Sequence, residues 1–400
     1  MAYNGVEVFN AIRNATPSLQ SRYPEASETT LKEIGYNLSR DSVDMKAAYL
    51  NGLLEMVSAV FVSNTRIENP LADLIRGGQY YEWGNLIEKI KVRIAKAVDP
   101  KFLVDNLGTG KTIDPFVQNQ PETVTEFFKI NLPMQYIVTI SDWQLQRAFE
   151  SAQGMNALIS EILESVQNGM KLDLYEAGKS IFNAYINDTT YSDGTARTLG
   201  DGQVATVADV TSEATGKTFV NAVKNIVSSM AFPTKAYNPM GILNTQSSGS
   251  LTMFCKPELL NKLSVDVWAS AFNRDDLDLT PVGGNGKMRI KSLDNFGGIY
   301  ATDAQGHKLN KKYNSLGAVI GYEYNGVEVS EKDITWVDPN KDVLAVITDV
   351  ADFGGIALRK ERFSNIYNPR GEYVNYWFNA EYWVYYSNMA NVVIIKKASK

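Results

Sequence analysis

The residues whose types and spacing suggest chemistry are few. Two Gly-Lys-Thr triplets occur, Gly110-Lys111-Thr112 and Gly216-Lys217-Thr218. A phosphate-binding loop needs a further glycine five positions earlier, so that the backbone can wrap the phosphates. That position holds Asp105 in one case and Thr211 in the other, and neither triplet fits. Gly286-Lys287 is followed by Met288 and lacks the hydroxyl. His307 is the single histidine, which excludes multi-histidine metal sites, and its setting AQGHKLNKKY reads as a solvated loop. Cys255 is the single cysteine. It permits no intrachain disulfide, suggests an intracellular folding environment, and reads as a packing residue after Met253 and Phe254. Asp275, Asp276 and Asp278 lack the glycine and distal glutamate of a calcium loop and read as a solvated turn. No GxSxG, CxxC or HExxH motif is present. The expectation is a protein without catalytic, cofactor-binding or metal-binding residues, with no cofactor and no enzymatic activity.

Composition agrees with a folded, non-catalytic chain. Apolar residues make up 44% and charged residues 21%, enough for a core with an ordinary surface. The net charge of −6 argues against reading DNA by electrostatics, although not against enclosing it. The start, MAYNGVEVFNAIRN, lacks the apolar core of a signal peptide, and no apolar run predicts a membrane span.

The elements follow from periodicity. Val6, Phe9 and Ile12 share one helical side, SETTLKEIGYNL is a second amphipathic piece, and a longer helix is expected over 42–62. These first 75 residues read as an independent bundle, or as an arm burying its apolar stripes on something else. Ile90-Lys91-Val92-Arg93-Ile94 alternates strictly, and the even positions of Val124–Ile140 form an apolar row interrupted by Glu126. That second run predicts one continuous strand of about 55 Å at ~3.3 Å per residue. Paired with the first, it predicts a ribbon with its tip over 99–122. A long helix is expected over 156–186 and another over 216–230. Short strands follow over 280–355, with Asn325-Gly326 as a tight turn. Last comes an aromatic strand within Ile366–Ile395, whose even row Val374, Tyr376, Phe378, Ala380, Tyr382, Val384 and Tyr386 needs a covering element. The 154–186 helix is the expected partner.

Several sequence pieces, in order along nearly the whole chain, resemble the major capsid proteins of small short-tailed phages of the phi 29 group (Picovirinae type). They are Phe9-Asn10-Ala11-Ile12-Arg13-Asn14, Asn69-Pro70-Leu71, Leu263-Ser264-Val265-Asp266-Val267-Trp268, Ala271-Phe272-Asn273, the Leu344–Asp352 segment, Asn368-Pro369-Arg370-Gly371-Glu372-Tyr373, Asn375-Tyr376-Trp377 and Met389-Ala390-Asn391. The resemblance implies an α+β Hong Kong 97-type phage capsid fold with an N-terminal arm, an extended loop, a peripheral domain with a spine helix, and an axial domain. Mapped onto this chain, the arm is 1–75 and the extended loop 76–142. The peripheral domain is 143–232 with 356–400, and the axial domain is 233–355. Extra residues around 303–340 are expected to elaborate the axial domain, and, with the sequence stopping at Lys400, the C-terminal immunoglobulin-like module of the phi 29 type is not expected.

The implied function is a major capsid protein assembling into the icosahedral head around double-stranded DNA. The implied partners are its own copies in hexamers and pentamers, a scaffolding protein, a portal protein, a head fibre or decoration protein, and DNA enclosed without sequence recognition. Its implied place is the virion, after assembly in the host bacterial cytoplasm. The residues expected at contacts between subunits are Lys89, Lys91, Arg93, Phe102 and Phe116. The alternative is a nanocompartment (encapsulin-like) shell protein with an enzyme cargo.

Overall fold

The computed structural model describes residues 5–27, 29–39, 41–42, 44–45, 48–49, 68–76, 86–94, 121–129, 132–141, 143–144, 152–191, 194–263, 288–313 and 319–398. Helices α1 (Gly5–Ala15), α2 (Pro17–Arg22) and α3 (Leu31–Ser39) precede strands β1 (Ile75–Arg76), β2 (Leu86–Val92), β3 (Thr123–Lys129) and β4 (Leu132–Ser141). A helix of 36 residues, α4 (Ala152–Asn187), leads to β5 (Val204–Val207) and α5 (Glu213–Met230). Then come β6 (Leu251–Cys255), α6 (Pro257–Lys262), β7 (Arg289–Ser292), β8 (Tyr300–Thr302), β9 (Asn310–Tyr313), β10 (Val319–Tyr324), β11 (Val327–Val329), β12 (Thr335–Val337) and β13 (Val343–Asp349). The short helix α7 (Val350–Phe353) enters β14 (Gly354–Asn368), and β15 (Tyr373–Tyr386) and β16 (Val392–Lys397) follow. Most of the helix expected over 42–62 and of the ribbon tip over 99–122, the acidic cluster at 275–278 and most of the 263–273 resemblance fall outside the described residues.

The chain forms two compact units, each from discontinuous segments. The first comprises Met1–Trp83, Ile130–Ala177 and Ile356–Trp383. Its sheet has the order β1-β14-β15-β4. β15 and β4 pair antiparallel from Tyr373 opposite Ser141 to Tyr382 opposite Leu132. The inward row of that pair, with Ile140, Val374 and Tyr376, packs against Phe9 and Ile12 of α1, Leu19 of α2, and Ile34 and Leu38 of α3. The apolar stripes of the N-terminal helices are therefore covered by this chain's own sheet. This also corrects in part the partner expected for the aromatic row. Its first residues are covered by α1–α3, while Tyr386 at its end packs edge-on against Tyr185 of the long helix at 5.6 Å. The long helix meets this sheet at Tyr136, opposite Phe378, whose hydroxyl donates to Asp173 at 2.6 Å. A Cβ at Gly169 would lie 3.3 Å from the Tyr136 ring, so the glycine permits the ring's close approach.

The second unit comprises Gly84–Lys129, Gly178–Gly355 and Val384–Lys400. Its main sheet has the order β5-β16-β13-β6-β7. All five residues of β6 are buried, the pattern of a strand covered on both faces. Helix α5 starts with a capping box in which Ser212 and Thr215 satisfy each other's backbone donors. Its buried row Phe219, Val220, Val223, Val227 and Met230 packs with Leu251, Met253, Ala345, Ile347, Val393 and Ile395. In the small sheet β11-β10-β9, the β10–β11 turn is Asn325-Gly326, at φ 50° and 81°. Those values suit a two-residue hairpin turn.

Two expected strands are broken. The run Val124–Ile140 divides into β3, which pairs with β2, and β4, which pairs with β15. The aromatic stretch ends at Tyr386, and its continuation β16 pairs with β13 and β5 in another sheet. Alternation reports which face a residue occupies, not which neighbour its strand pairs with, so a chain that changes sheets without changing phase reads as one strand. The turn expected at Asn368–Gly371 is present, with the Asn368 side chain accepting from the Arg370 and Gly371 amides at 3.0 and 3.3 Å.

Tyr376 and Tyr382 are buried, at 0% and 4% exposure. Tyr382→Ala should destabilise the chain by about 3–5 kcal/mol in denaturant unfolding, the range for emptying an aromatic core site. A loss within about 0.5 kcal/mol, as at surface sites, would contradict its place in the core.

Candidate functional site

No cluster of histidine, cysteine, aspartate and glutamate among the described residues is arranged to hold a metal ion. Gly216-Lys217-Thr218 lies within α5, where Gly216 is buried and Lys217 pairs with Glu213 at 2.5 Å. A helical backbone offers no loop to wrap a phosphate. Gly110-Lys111-Thr112 lies outside the described residues. His307 is half-exposed, stacks on Tyr324 at 4.5 Å and bonds Asp303 at 2.8 Å. Cys255 is buried, and burial pushes its thiol up to about 12, which keeps it protonated and inert.

The feature with a functional geometry is the β2–β3 ribbon. The strands pair antiparallel over seven positions, from Leu86 opposite Lys129 to Val92 opposite Thr123. Exposure alternates along both strands. The outward face carries Leu86, Ile90, Val92 and Phe127, continued by Ile94, each more than half exposed, with Glu88, Thr123, Thr125 and Lys129 beside them. The other face carries Ile87, Lys89 and Lys91 from β2, with Val124, Glu126 and Phe128 from β3. The ribbon thus exposes several large apolar side chains while turning Lys89, Lys91 and Glu126 inward, against the tendency of an ordinary half-buried strand pair.

The inward charges are satisfied within the chain. Lys89 bonds the Asp352 carboxylate at 2.7 Å, the Asp352 carbonyl at 2.6 Å and the Ser387 hydroxyl at 3.0 Å. Lys91 takes the other Asp352 oxygen at 2.7 Å, the Met389 carbonyl at 3.2 Å and the Asn244 side-chain oxygen at 3.3 Å. Glu126, only 5% exposed, accepts from the Ser387 hydroxyl at 2.6 Å and the Asn388 amide at 2.9 Å. Arg197, also buried, donates to the Asn388 side chain at 2.7 Å and lies over the Tyr185 ring. Phe128 stacks on Tyr385 at 4.7 Å. Of the residues expected at subunit contacts, Lys89 and Lys91 meet at Asp352, and Arg93 pairs separately with Glu122 at 3.1 Å in solvent. Phe102 and Phe116 lie outside the described residues. The sequence reading missed Glu126, Asp352, Ser387 and Asn388. Glu126 left a signal, as the one charge in an otherwise apolar row.

Comparison with known proteins places this architecture. The family described as Phi29-like phage major capsid protein matches residues 9–396. The chain belongs to that family. Among relatives, the major capsid protein of Bacillus phage B103 is 28% identical over 273 residues, covering 67% of this chain and 56% of that protein. That of Bacillus phage PZA is 24% identical over 275 residues, covering 68% and 57%. The chain thus spans little more than half the length of the curated relatives it matches. The capsid structure of Staphylococcus phage Andhra aligns with a TM-score of 0.56 at 16% identity, over 85% of this chain and 86% of that one. A chain from the structure of the head fiber and inner core protein gp22 of native bacteriophage P68 aligns with a TM-score of 0.54 at 13% identity, over 84% and 86%. At these identities the likeness establishes the fold, a mixed α+β phage capsid fold. The Phi29-like family is one of structural coat proteins, not of enzymes.

Burial pushes the Asp352 carboxyl up, but the charges and hydrogen bonds of Lys89 and Lys91 outweigh it and hold the group below its ordinary value of 3.8. A carboxylate held below its unfolded value adds stability that is present above that value and is lost as pH falls through the folded value. In urea unfolding across pH, the stability gap between the wild type and Asp352→Asn should therefore narrow below pH 3.8. A gap that stays constant down to pH 2, taken as roughly the floor for such shifts, would contradict the ionic role.

Proposed function

We propose that this chain is the shell subunit of a phage head, copies of which form an icosahedral shell around double-stranded DNA. Membership of the Phi29-like capsid family supports the reading, and the observation that carries it is the outward apolar stripe Leu86, Ile90, Val92, Ile94 and Phe127. A two-stranded ribbon is barely stable in water, and large apolar side chains gathered exposed on one of its faces signal a partner surface. A neighbouring copy supplies that surface at every lattice position, so weak contacts sum over the shell. The alternative of a nanocompartment loses weight because the family and the named relatives are phage major capsid proteins.

Within this reading, 1–75 is the N-terminal arm and 76–142 the extended loop. The peripheral domain is 143–232 with 356–400, α4 serving as its spine helix, and 233–355 is the axial domain, with β9–β11 in its elaboration. Copies meet in hexamers and pentamers. A scaffolding protein, a portal protein and a head fibre or decoration protein are further partners, and the DNA is held without sequence recognition. The shell belongs to the virion and assembles in the host bacterial cytoplasm. Arg93, Phe102 and Phe116 remain proposed contacts between subunits. Lys89 and Lys91 act beside them by presenting the ribbon, since their charges are engaged on Asp352.

The pair Ile90→Asp and Val92→Asp should abolish shells seen by electron microscopy when the protein is made with its scaffolding protein. Subunit stability should stay within about 1 kcal/mol, since both residues are exposed. Normal shells from this variant would overturn the ribbon's role.

A further inference from the structure

A strand pair without its own core bends readily, so the place where it is tied decides where it points. Here the tie is ionic and engages both strands. Lys89 and Lys91 of β2 share Asp352 of α7, while Glu126 of β3 holds Ser387 and Asn388 in the turn between β15 and β16. Ser387 joins the two halves, accepting from Lys89 at 3.0 Å and donating to Glu126 at 2.6 Å. Asn388 extends the network to Arg197. Three cations and two carboxylates thus interleave where an apolar patch would ordinarily lie.

Two consequences of such a root differ from those of an apolar one. Replacing buried ion pairs by apolar groups of similar volume is often neutral for stability, so the ions are a weak source of folding energy. They are, however, directional. A slip of either strand by one residue exchanges the two faces, bringing Ile90 to Asp352 in place of the lysines, or Thr125 or Phe127 to Ser387 in place of Glu126. A β2 slip leaves the partly buried Asp352 carboxylate unpaired, and a β3 slip leaves the buried Ser387 hydroxyl and Asn388 amide without their acceptor.

We propose that Lys89, Lys91, Glu126, Asp352 and Ser387 form a latch that fixes the direction and register of the ribbon within its own subunit. It sets where the apolar stripe is presented and is not a main source of the unit's stability. The latch does not depend on the shell reading, because it operates in a single unassembled chain.

The test is hydrogen–deuterium exchange on unassembled full-length subunits, comparing the wild type with Glu126→Gln, Asp352→Asn and the pair Lys89→Met with Lys91→Met. Amides of β2 and β3 should exchange about tenfold faster in each variant, through local opening. Amides of β6, β13 and β16 should keep their wild-type protection. Unchanged protection of the ribbon would overturn the latch. Equal loss of protection in ribbon and central sheet would overturn it too, by showing that these residues support the whole unit. The lysine pair, which leaves only the partly exposed Asp352 carboxylate to be solvated, serves if either carboxylate variant fails to fold. Failure of this test leaves the shell reading standing, since that rests on assembly.

Discussion

Lys89 and Lys91 divide between them the two oxygens of one carboxylate, that of Asp352. Much of what is unusual here depends on that arrangement. Two lysines two positions apart on a strand point the same way, so engaging both commits a whole face of β2. Glu126 does the same for β3, which lies directly opposite Lys89. Once the polar face is committed inward, alternation forces Leu86, Ile90, Val92 and Phe127 outward. The exposed apolar stripe is therefore not a failure of burial. It is the geometric remainder of an ionic root, and it leaves the subunit with an unpaid solvation cost that only another surface relieves.

Much of this was legible from residue patterns. The first helix around Val6–Ile12, the helices expected over 216–230 and 156–186, the Asn325-Gly326 turn and the pairing of the Ile90–Ile94 alternation with a strand beginning at Val124 were all readable from local periodicity and turn chemistry. What was not legible is long-range. The uninterrupted phase of 124–140 hides a change of pairing partner, and the phase of the 374–386 row shows that it is buried without showing by what. Which face of the ribbon turns inward was equally hidden. A strand of alternating lysine and isoleucine normally buries isoleucine, and only the distant Asp352 and Ser387 reverse it. Glu126 was the visible trace of that reversal.

The N-terminal helices illustrate a related economy. Phe9, Ile12, Leu19, Ile34 and Leu38 are buried against β4 and β15 of the same chain. Tyr23 donates to Asp41 at 2.5 Å, and Arg22 pairs with the same carboxylate at 2.6 Å. The segment is thus packed onto its own sheet, while directional bonds tie its own turns to one another. An apolar stripe at the start of a chain does not by itself identify an arm that reaches elsewhere. The ribbon stripe differs because its exposed residues have no such cover.

The order β5-β16-β13-β6-β7 carries a consequence for how the chain comes into being. The strand lying between β5 and β13 is β16, the latest of the sheet's strands in sequence. On the ribosome the sheet therefore exists only as separated parts until residues 392–397 emerge, however much chain follows them. Until then the flanks of β5 and β13 are open edges, the kind of surface that invites wrong partners. On the proposed shell role, the chain would be synthesised among its own copies with its central gap still open. Closing that gap quickly is as much a requirement on this sequence as fitting the finished assembly.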